Sequence, residues 1–318
     1  MSESVLRIER LSVGYDHPQG RVRAVDEVSL SLRPGERFGL AGESGSGKST
    51  MALSMLRMIK PPGHITGGAV WLDGVNLFDL GDIDMRRVRL AKIALVPQGS
   101  MNSLNPVTRI REQFRDVLAD HGERLSRRAF EGHVRELLAQ VGLPPEVADK
   151  YPHELSGGMK QRACIAIAIA LRPKVIIADE PTSALDVVVQ RQVMETLGRA
   201  QALLGAALLL IGHDMGLMAQ FVDRLGIMYA GRLVEVAPIG DIINEPRHPY
   251  TRLLIDTLPS LERRTELRGI PGLAPRMSDL PPGCPFHPRC PAAQPLCRAE
   301  KPPLRPIAED ARVACHLA

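Results

Sequence analysis

Short, unbroken apolar runs recur along the front two thirds of the chain. They lie at Phe38 to Ala41, Ile93 to Val96, Val175 to Ala178 and Leu208 to Ile211. Runs without polar alternation are typical of strands that are buried on both faces, as in a parallel sheet covered by helices. The first run leads into a glycine-rich loop, and a helical pattern follows that loop from Ser49 to Ile59. The pattern therefore predicts an α/β protein with a parallel sheet at its core.

Two other periodicities accompany this core. Val5 to Leu11 and Val25 to Leu32 alternate between apolar and polar positions, which predicts antiparallel strands with one face in water. From about residue 100 to 170 the apolar residues recur at helical spacing, with Ile110 and Phe114 on one face. We therefore expect an antiparallel β subdomain and a helical subdomain beside the parallel sheet.

The composition of the chain changes after about residue 246, where proline becomes dense and periodicity fades. Proline breaks helices and cannot donate a hydrogen bond within a central strand, so long regular elements are not expected there. We predict a main domain over residues 1–245 and a small, proline- and cysteine-rich C-terminal extension over residues 246–318.

The overall composition is that of an ordinary globular protein, with 44% hydrophobic and 24% charged residues. The 40 basic and 36 acidic side chains give a formal net charge of +4, which is too balanced to indicate nucleic acid as the main ligand. No apolar run approaches the ~18 residues of a membrane span, and the N-terminus lacks the pattern of a secretory signal. We therefore expect a cytoplasmic protein, which would act on a membrane only through a partner that spans it.

The glycine-rich loop has the spacing of a phosphate-binding loop. It consists of Gly42, Glu43, Ser44, Gly45, Ser46, Gly47, Lys48, Ser49 and Thr50. Glycines let successive N–H groups turn toward phosphate oxygens, and the following helix adds the positive end of its dipole. Lys48 can reach the β- and γ-phosphates of a nucleotide, and the Ser49 hydroxyl can hold Mg²⁺. The alternative is a chance glycine–serine loop, which the position between a predicted strand and a predicted helix disfavours.

Two carboxylates follow another of the predicted strands. The run from Val175 to Ala178 is followed directly by Asp179 and Glu180. At the carboxyl edge of the sheet, Asp179 can bind Mg²⁺ through water, and Glu180 can act as the general base toward the attacking water. Acidic residues often begin loops, so it is the combination with the glycine loop that makes this assignment specific.

A second glycine-rich helix start lies between these two motifs in the sequence. Ser156, Gly157 and Gly158 precede an apolar helical pattern. Alone they would indicate only a helix with a serine N-cap. In a chain that already holds one phosphate-binding loop, a second anion-binding helix start suggests two chains that face each other. Each chain would then offer this helix start to the nucleotide held by the other.

In this order and spacing the motifs resemble those of ATP-binding cassette (ABC) proteins, and Leu155 to Gln161 resembles the signature sequence of that family. The resemblance covers about the first 240 residues and implies a P-loop NTPase-type fold that binds and hydrolyses ATP. It implies that Tyr15 stacks on adenine, that Gln98 senses Mg²⁺ and the membrane partner during catalysis, and that His213 contacts the γ-phosphate. It further implies that Asp186 lies in a loop at the interface of two ATPase chains.

Two other stretches are similar to the ATPase subunits of dipeptide and oligopeptide importers. They are Met101 to Pro106 and Asn244 to Thr251. This resemblance implies a second ATPase subunit, related but not identical, together with two transmembrane permease subunits and an external solute-binding protein. It places the chain peripherally, at the cytoplasmic face of the inner membrane. Related importers carry peptides, nickel complexes or sugars, so the transported solute stays open.

Four of the five cysteines lie in the last 35 residues. They are Cys284, Cys290, Cys297 and Cys315. In a cytosolic protein such clustering indicates a metal or an iron–sulfur centre before it indicates disulfides. The resemblance to peptide importers favours a 4Fe–4S cluster. Zinc on the same four thiolates and four unligated thiols are the alternatives.

Two other functions compete with transport. A soluble ABC ATPase of DNA repair or translation would carry a long coiled-coil insertion or two cassettes. In this chain 57 residues separate Gln98 from Ser156, and the glycine loop occurs once. A regulatory module would bind ATP without hydrolysing it, which the presence of Glu180 and His213 disfavours. The sequence therefore favours an ATP-hydrolysing transporter subunit.

Overall fold

A computed structural model describes residues 4–18, 20–99, 103–258 and 269–318. The described residues form two compact units. The helical unit comprises Met1–Val5, Leu32–Glu36 and Asp79–Leu210, and the glycine-loop unit comprises Leu6–Ser31, Arg37–Phe78 and Ile211–Ala318. Most of the helical unit is therefore one long segment, inserted into the chain of the glycine-loop unit.

The secondary structure alternates between strands and helices along most of the chain. The strands are β1 (Leu6–His17), β2 (Gly20–Leu32), β3 (Arg37–Ala41), β4 (Gly63–Leu72), β5 (Val75–Asn76), β6 (Ile93–Val96), β7 (Val175–Asp179), β8 (Ala207–Ile211), β9 (Arg224–Tyr229), β10 (Arg232–Pro238), β11 (Arg305–Pro306) and β12 (Arg312–Val313). The helices are α1 (Lys48–Met55), α2 (Asp82–Val88), α3 (Ile110–Asp120), α4 (Arg127–Gln140), α5 (Gly157–Ala168), α6 (Val187–Leu204), α7 (Met215–Ala219), α8 (Ile239–Asn244), α9 (Pro249–Asp256) and α10 (Pro295–Ala299). Short 3₁₀ helices span Pro145–Asp149, Pro152–Glu154 and His287–Arg289.

One sheet of the glycine-loop unit has the strand order β2-β1-β4-β5. In it β4 pairs antiparallel with both β1 and β5. Leu6 and Ile8 of β1 are buried, whereas Arg7 between them is exposed. One face of the strand thus packs inward while the other meets water, as the alternating pattern predicts. The predicted antiparallel β subdomain is confirmed.

The same unit contributes five strands to a second sheet, in the order β11-β12-β10-β9-β3. β3 runs parallel to β9, with Phe38 opposite Arg224 and Ala41 opposite Ile227. β10 pairs antiparallel with β9 on one side and with β12 on the other. Because β11 and β12 come from the C-terminal segment, the end of the chain completes a sheet whose strand β3 leads into the glycine loop.

In the helical unit, β8, β7 and β6 lie side by side, and β6 and β7 pair in parallel. Every residue of β7 is buried, which is what its unbroken apolar run predicts. The amphipathic helices α3 and α4 turn their apolar faces inward, and Phe114 and Leu138 are fully buried. Each such side chain stabilises the fold by about 1.5–3 kcal/mol through burial. The predicted parallel core and helical subdomain are both confirmed.

Side chains close the ends of the longer helices in this unit. Ser126 Oγ accepts a hydrogen bond from the Ala129 N–H at 3.3 Å and so caps α4. Asp186 Oδ1 accepts from the N–H groups of the first turn of α6 at 3.0 and 3.1 Å. At the other end of α6, Gly205 adopts a left-handed φ of 63°, the usual glycine termination of a helix. These caps therefore define the start of α4 and both ends of α6.

The longest helix of the described residues is α6. α6 spans 18 residues but carries exposed charges, among them Arg191 and Glu195. Within the described ranges, no helix combines the length and apolarity that crossing a bilayer requires.

Candidate functional site

The glycine-rich loop connects the end of β3 to the start of α1, as the sequence predicts. Gly42 and Gly47 have positive φ values of 149° and 99°. A Cβ atom at Gly42 would lie 2.1 Å from the Met228 carbonyl oxygen, and one at Gly47 would lie 2.2 Å from that of Ala24. Neither position can hold a larger residue, so the turn of the loop depends on these glycines.

Lys48 begins α1 and folds its ammonium group back into the loop. Its Nζ donates hydrogen bonds to the carbonyl oxygens of Gly42 and Glu43 at 2.8 and 2.9 Å, and to Ser46 Oγ at 3.2 Å. The residue is only 5% exposed. A buried positive charge at the amino end of a helix is suited to binding phosphate.

Glu43 is held from outside the loop by the C-terminal segment. Its N–H donates to the Tyr250 hydroxyl at 2.9 Å. Its carboxylate oxygens accept from Nη1 and Nη2 of Arg289 at 2.7 and 2.8 Å. This paired contact raises the pKa of the Arg289 guanidinium above its ordinary value. Sequence reasoning missed the contacts of Arg289 and Tyr250 with Glu43, since 246 and 207 positions separate these residues from it. Tyr250 lies in the stretch from Asn244 to Thr251, but that stretch does not indicate a contact with the glycine loop.

An aromatic cluster surrounds the contact between Glu43 and Arg289. It consists of Tyr229, Tyr250 and Phe286, all buried, with ring centroids 4.6 to 5.2 Å apart in tilted or edge-on arrangements. Arg289 donates from Nη1 to the Tyr229 hydroxyl at 3.3 Å and from Nε to the Pro271 carbonyl at 2.8 Å. Such aromatic arrangements are favourable beyond the area that they bury. Hydrogen bonds to Glu43, Tyr229 and Pro271 therefore hold the Arg289 guanidinium in place.

In the helical unit, Gln98 and Glu180 follow the carboxyl ends of the neighbouring parallel strands β6 and β7. Gln98 Nε2 donates to Glu180 Oε2 at 2.8 Å. Glu180 has a φ of 43°, a left-handed conformation that costs a residue with a side chain about 1–3 kcal/mol. Asp179, at the end of β7, is 5% exposed. The structure thus brings together the predicted general base and the glutamine predicted to sense Mg²⁺.

The predicted signature forms the start of α5. Ser156 Oγ accepts from the Met159 N–H at 3.4 Å, so the serine is an N-cap in this structure. A Cβ atom at Gly158 would lie 2.5 Å from Val189 Cγ1, and glycine therefore lets α5 pack closely on α6. Asp186, predicted to lie at an interface between two chains, caps the start of α6. The starts of α5 and α6 consequently lie close together.

Two predicted nucleotide contacts belong to the glycine-loop unit. Tyr15, near the end of β1, is half-buried, and a Cβ atom at Gly63 would lie 2.5 Å from its Cε1. His213 follows β8 and is exposed. The roles of Tyr15 and His213 stay predictions. Of the run from Met101 to Pro106, the first two residues lie outside the described residues.

The four C-terminal cysteines are free thiols, two half-buried and two buried. Burial raises the pKa of Cys284 to about 11, and the other three thiols add to that rise. The Cys284 N–H donates to the Cys297 carbonyl at 2.8 Å, so the fold gathers these residues into one region. Across the described parts of the chain, however, no group of three or more His, Cys, Asp or Glu side chains is arranged to hold a metal ion. Neither the iron–sulfur nor the zinc prediction gains support from that arrangement.

Two protein families match the sequence. Residues 25–183 match the ABC transporter family, and residues 234–297 match the C-terminal region of oligopeptide/dipeptide transporters. The dipeptide transport ATP-binding protein DppD of Escherichia coli (strain K12) is 40% identical over 318 residues, covering 98% of this chain and 96% of that protein. DppD of Caldanaerobacter subterraneus is 39% identical over 315 residues, covering 98% of this chain and 97% of that protein.

Solved structures agree with these matches. A dimeric ATP-binding cassette in a post-hydrolysis state, bound to ADP and Pi, has a TM-score of 0.66 and 27% identity, and the likeness covers 74% of this chain and 98% of that one. A glycine loop between a strand and a helix, with a second strand that ends in two carboxylates, defines a P-loop ATPase. The chain belongs to the ABC transporter family of ATPases. The predicted family, fold class and ATP hydrolysis are confirmed.

Proposed function

We propose that the chain is the ATPase subunit that energises import of dipeptides or oligopeptides through partner membrane subunits. One observation carries the proposal. The likeness to dipeptide transport ATP-binding proteins runs along 98% of the chain, and it includes the C-terminal region that oligopeptide/dipeptide transporters share. An ATPase of another transporter class would be expected to match in the cassette alone.

In the proposed site the chain binds the triphosphate through the glycine loop. Lys48 exchanges contacts with the loop oxygens for contacts with the β- and γ-phosphates, and Tyr15 stacks on the adenine. The Ser49 hydroxyl, the Asp179 carboxylate and the Gln98 amide offer the hard oxygen atoms that Mg²⁺ prefers. When bound, Mg²⁺ neutralises charge that develops on the phosphates during hydrolysis.

Hydrolysis in this proposal depends on two side chains. Glu180 accepts a proton from the attacking water, and its hydrogen bond to Gln98 at 2.8 Å supports the orientation of the carboxylate. His213 donates to the γ-phosphate. Each nucleotide would lie between the glycine loop of one chain and the signature helix of the other. In this chain the residues that would contact the partner's nucleotide are Ser156, Gly157, Gly158 and Asp186, and the partner would contribute residues at equivalent positions.

The proposed assembly has several members. A second ATPase chain pairs with this one, as the dimeric state of a structural neighbour supports. In this proposal the second chain is related to this one but not identical to it. Two permease subunits cross the membrane, and a solute-binding protein delivers the solute outside. The chain would then lie at the cytoplasmic face of the inner membrane.

Uptake of labelled dipeptide by a strain that lacks this chain tests the proposal. Wild-type chain should restore uptake, whereas Lys48→Ala should not. Glu131→Gln, an exposed change on α4, serves as the control and should restore uptake fully. If the wild-type chain restores uptake of nickel but not of dipeptide, the transported solute is nickel and not a peptide. Stable association with ribosomes or DNA, and none with permeases, would contradict transport itself.

We also propose that the cysteine cluster holds a 4Fe–4S centre. Four cysteine thiolates are the donor set that such a cluster takes. The C-terminal region shared with oligopeptide/dipeptide transporters extends to Cys297 and so includes three of these cysteines. Anaerobically purified protein should be brown and contain iron and sulfide, and Cys290→Ser should lose both. A colourless protein with one equivalent of zinc would assign the thiols to zinc, and a metal-free protein would contradict both assignments.

A further inference from the structure

Glu43 brings a negative charge to a phosphate-binding loop, which receives further negative charge when a nucleotide binds. Its backbone carbonyl accepts from Lys48 Nζ at 2.9 Å, so the residue directly contacts the lysine assigned to the phosphates. Its carboxylate is partly exposed, with 27% of the side chain accessible. Like charges at short range in a poorly solvated site repel strongly. An uncompensated carboxylate here would therefore oppose binding of a nucleotide triphosphate.

Arg289 supplies the compensating charge. Its side chain is 6% exposed, and both of its terminal nitrogens contact the two carboxylate oxygens of Glu43. A fork-to-fork contact of this kind fixes orientation as well as charge. Because Arg289 also donates to Pro271 and Tyr229, it cannot turn away from Glu43 without breaking several hydrogen bonds at once.

The C-terminal segment also holds the backbone of Glu43. The Tyr250 hydroxyl accepts from the Glu43 N–H at 2.9 Å, and the Tyr250 ring packs on Phe286 at 5.2 Å. Glu43 is thus fixed at its N–H, at its carboxylate and at its carbonyl, where it meets Lys48. The first two of these contacts come from residues far along the chain from the loop.

We propose that Arg289 is a positioning residue of the nucleotide site, which neutralises and orients Glu43 and thereby sets the affinity of the glycine loop for the phosphates of ATP. This rests on the proposed role of the loop and goes beyond it, since it makes the C-terminal segment part of the nucleotide site. The effect should grow with the number of phosphates, because repulsion from Glu43 acts on their charge.

The test measures binding of MgATP, MgADP and adenosine to the full chain by titration calorimetry. Arg289→Gln should weaken MgATP binding about tenfold, MgADP binding less, and adenosine binding hardly at all. Glu43→Gln should bind MgATP at least as tightly as wild type, and the double variant should return toward wild type. The loss in Arg289→Gln should shrink at high salt, because the repulsion is screened.

Matched controls separate this effect from a general loss of structure. Arg298→Gln removes the same charge from an exposed position of the same segment and should bind like wild type. Arg289→Lys keeps the charge but loses the fork, so it should fall between wild type and Arg289→Gln.

Two outcomes would overturn the proposal. One is a double variant that binds as weakly as Arg289→Gln while both are folded by circular dichroism, which would assign Arg289 a merely structural role. The other is a Glu43→Gln variant that binds MgATP clearly more weakly than wild type, and this variant decides the matter even where Arg289→Gln fails to fold. Normal MgATP binding by Lys48→Ala would instead refute the proposed role of the loop itself.

Discussion

Glu180 combines a strained backbone conformation with a carboxylate held by a hydrogen bond. Its left-handed φ of 43° is unfavourable for a residue with a Cβ atom, and its carboxylate accepts from Gln98 at 2.8 Å. Conformations of this kind persist only where the surrounding structure determines them. The backbone conformation and the hydrogen bond from Gln98 therefore together restrict the orientation of the Glu180 carboxylate.

Replacing Glu180 with Gln should abolish ATP turnover while ATP binding is kept. The amide has nearly the same size, but it cannot accept a proton, so the rate should fall by about 10²- to 10⁴-fold. Phosphate release and MgATP titration measure the two effects separately. Glu131→Gln should leave both unchanged, and a Glu180→Gln enzyme with near-normal turnover would remove the general-base assignment.

His248 makes the stability of the folded chain depend on pH. It is buried, and its Nδ1 accepts from the Tyr250 N–H at 3.0 Å as the N-cap of α9. Burial lowers its pKa from 6.5 to about 4. The unfolded chain therefore takes up a proton in this range while the folded chain does not. The stability that neutral His248 contributes is fully present above its unfolded-state pKa of 6.5, and it is lost as the pH falls toward its folded-state pKa of about 4.

Between about pH 7 and about pH 5 this histidine should reduce the free energy of unfolding by about 2 kcal/mol. His248→Asn keeps an N-cap acceptor without a titrating group, so its stability should fall less over the same interval. Burial raises the pKa of Glu235, which accepts from the His248 N–H at 2.9 Å and gives the opposite slope. Because Glu235 is present in both proteins, urea unfolding at several pH values isolates the histidine, and equal slopes would contradict this account.

The stability of α4 depends on the N-cap hydrogen bond at its first turn. Ser126 accepts from the Ala129 N–H at 3.3 Å, and no acidic residue lies in the first turn. Ser126→Ala should lower the free energy of unfolding by about 1 kcal/mol, and Ser126→Asp should keep most of it. Denaturant unfolding measures the difference, and ATP turnover should not change. Equal stability of the alanine and aspartate variants would show that the cap contributes little.

The strands show where sequence reasoning works and where it cannot. β3, β6, β7 and β8 could be predicted because strands buried on both faces require unbroken apolar runs. The hairpin of β9 and β10 was not predicted, although both strands are largely buried. β11 and β12 are two residues each within a proline-rich segment, and they are strands only because β12 pairs with β10 and β11 pairs with β12. Pairing is a tertiary contact, which local periodicity does not encode.

The same limit applies to the candidate site. Lys48, Asp179 and Glu180 follow from motifs because their spacing along the chain reflects a local turn. Arg289 and Tyr250 reach Glu43 only through the fold, and neither stands in a pattern that signals the contact.

Ending the chain at residue 245, the predicted domain boundary, should not yield an intact ATPase. The shortened chain lacks Tyr250 and Arg289, which contact Glu43 of the glycine loop, and Phe286, which packs on Tyr250. It also lacks β12, one of the two strands that pair with β10. We expect reduced thermal stability and no measurable MgATP binding by calorimetry. Deletion of Leu317 and Ala318 alone is the control and should bind normally. A fragment of residues 1–245 that binds MgATP like the full chain would support the predicted boundary instead.

The contacts of Glu43 also have a consequence for biosynthesis. Glu43 is translated 207 positions before Tyr250 and 246 positions before Arg289. Compact units fold as they emerge from the ribosome, and the helical unit is fully translated at Leu210. The glycine loop is thus among the first parts to be synthesised and among the last to be fixed in place. A chain interrupted after Leu210 but before Tyr250 would therefore carry the complete helical unit and a glycine loop without either of these contacts. We expect such a chain to compete poorly with finished subunits for nucleotide.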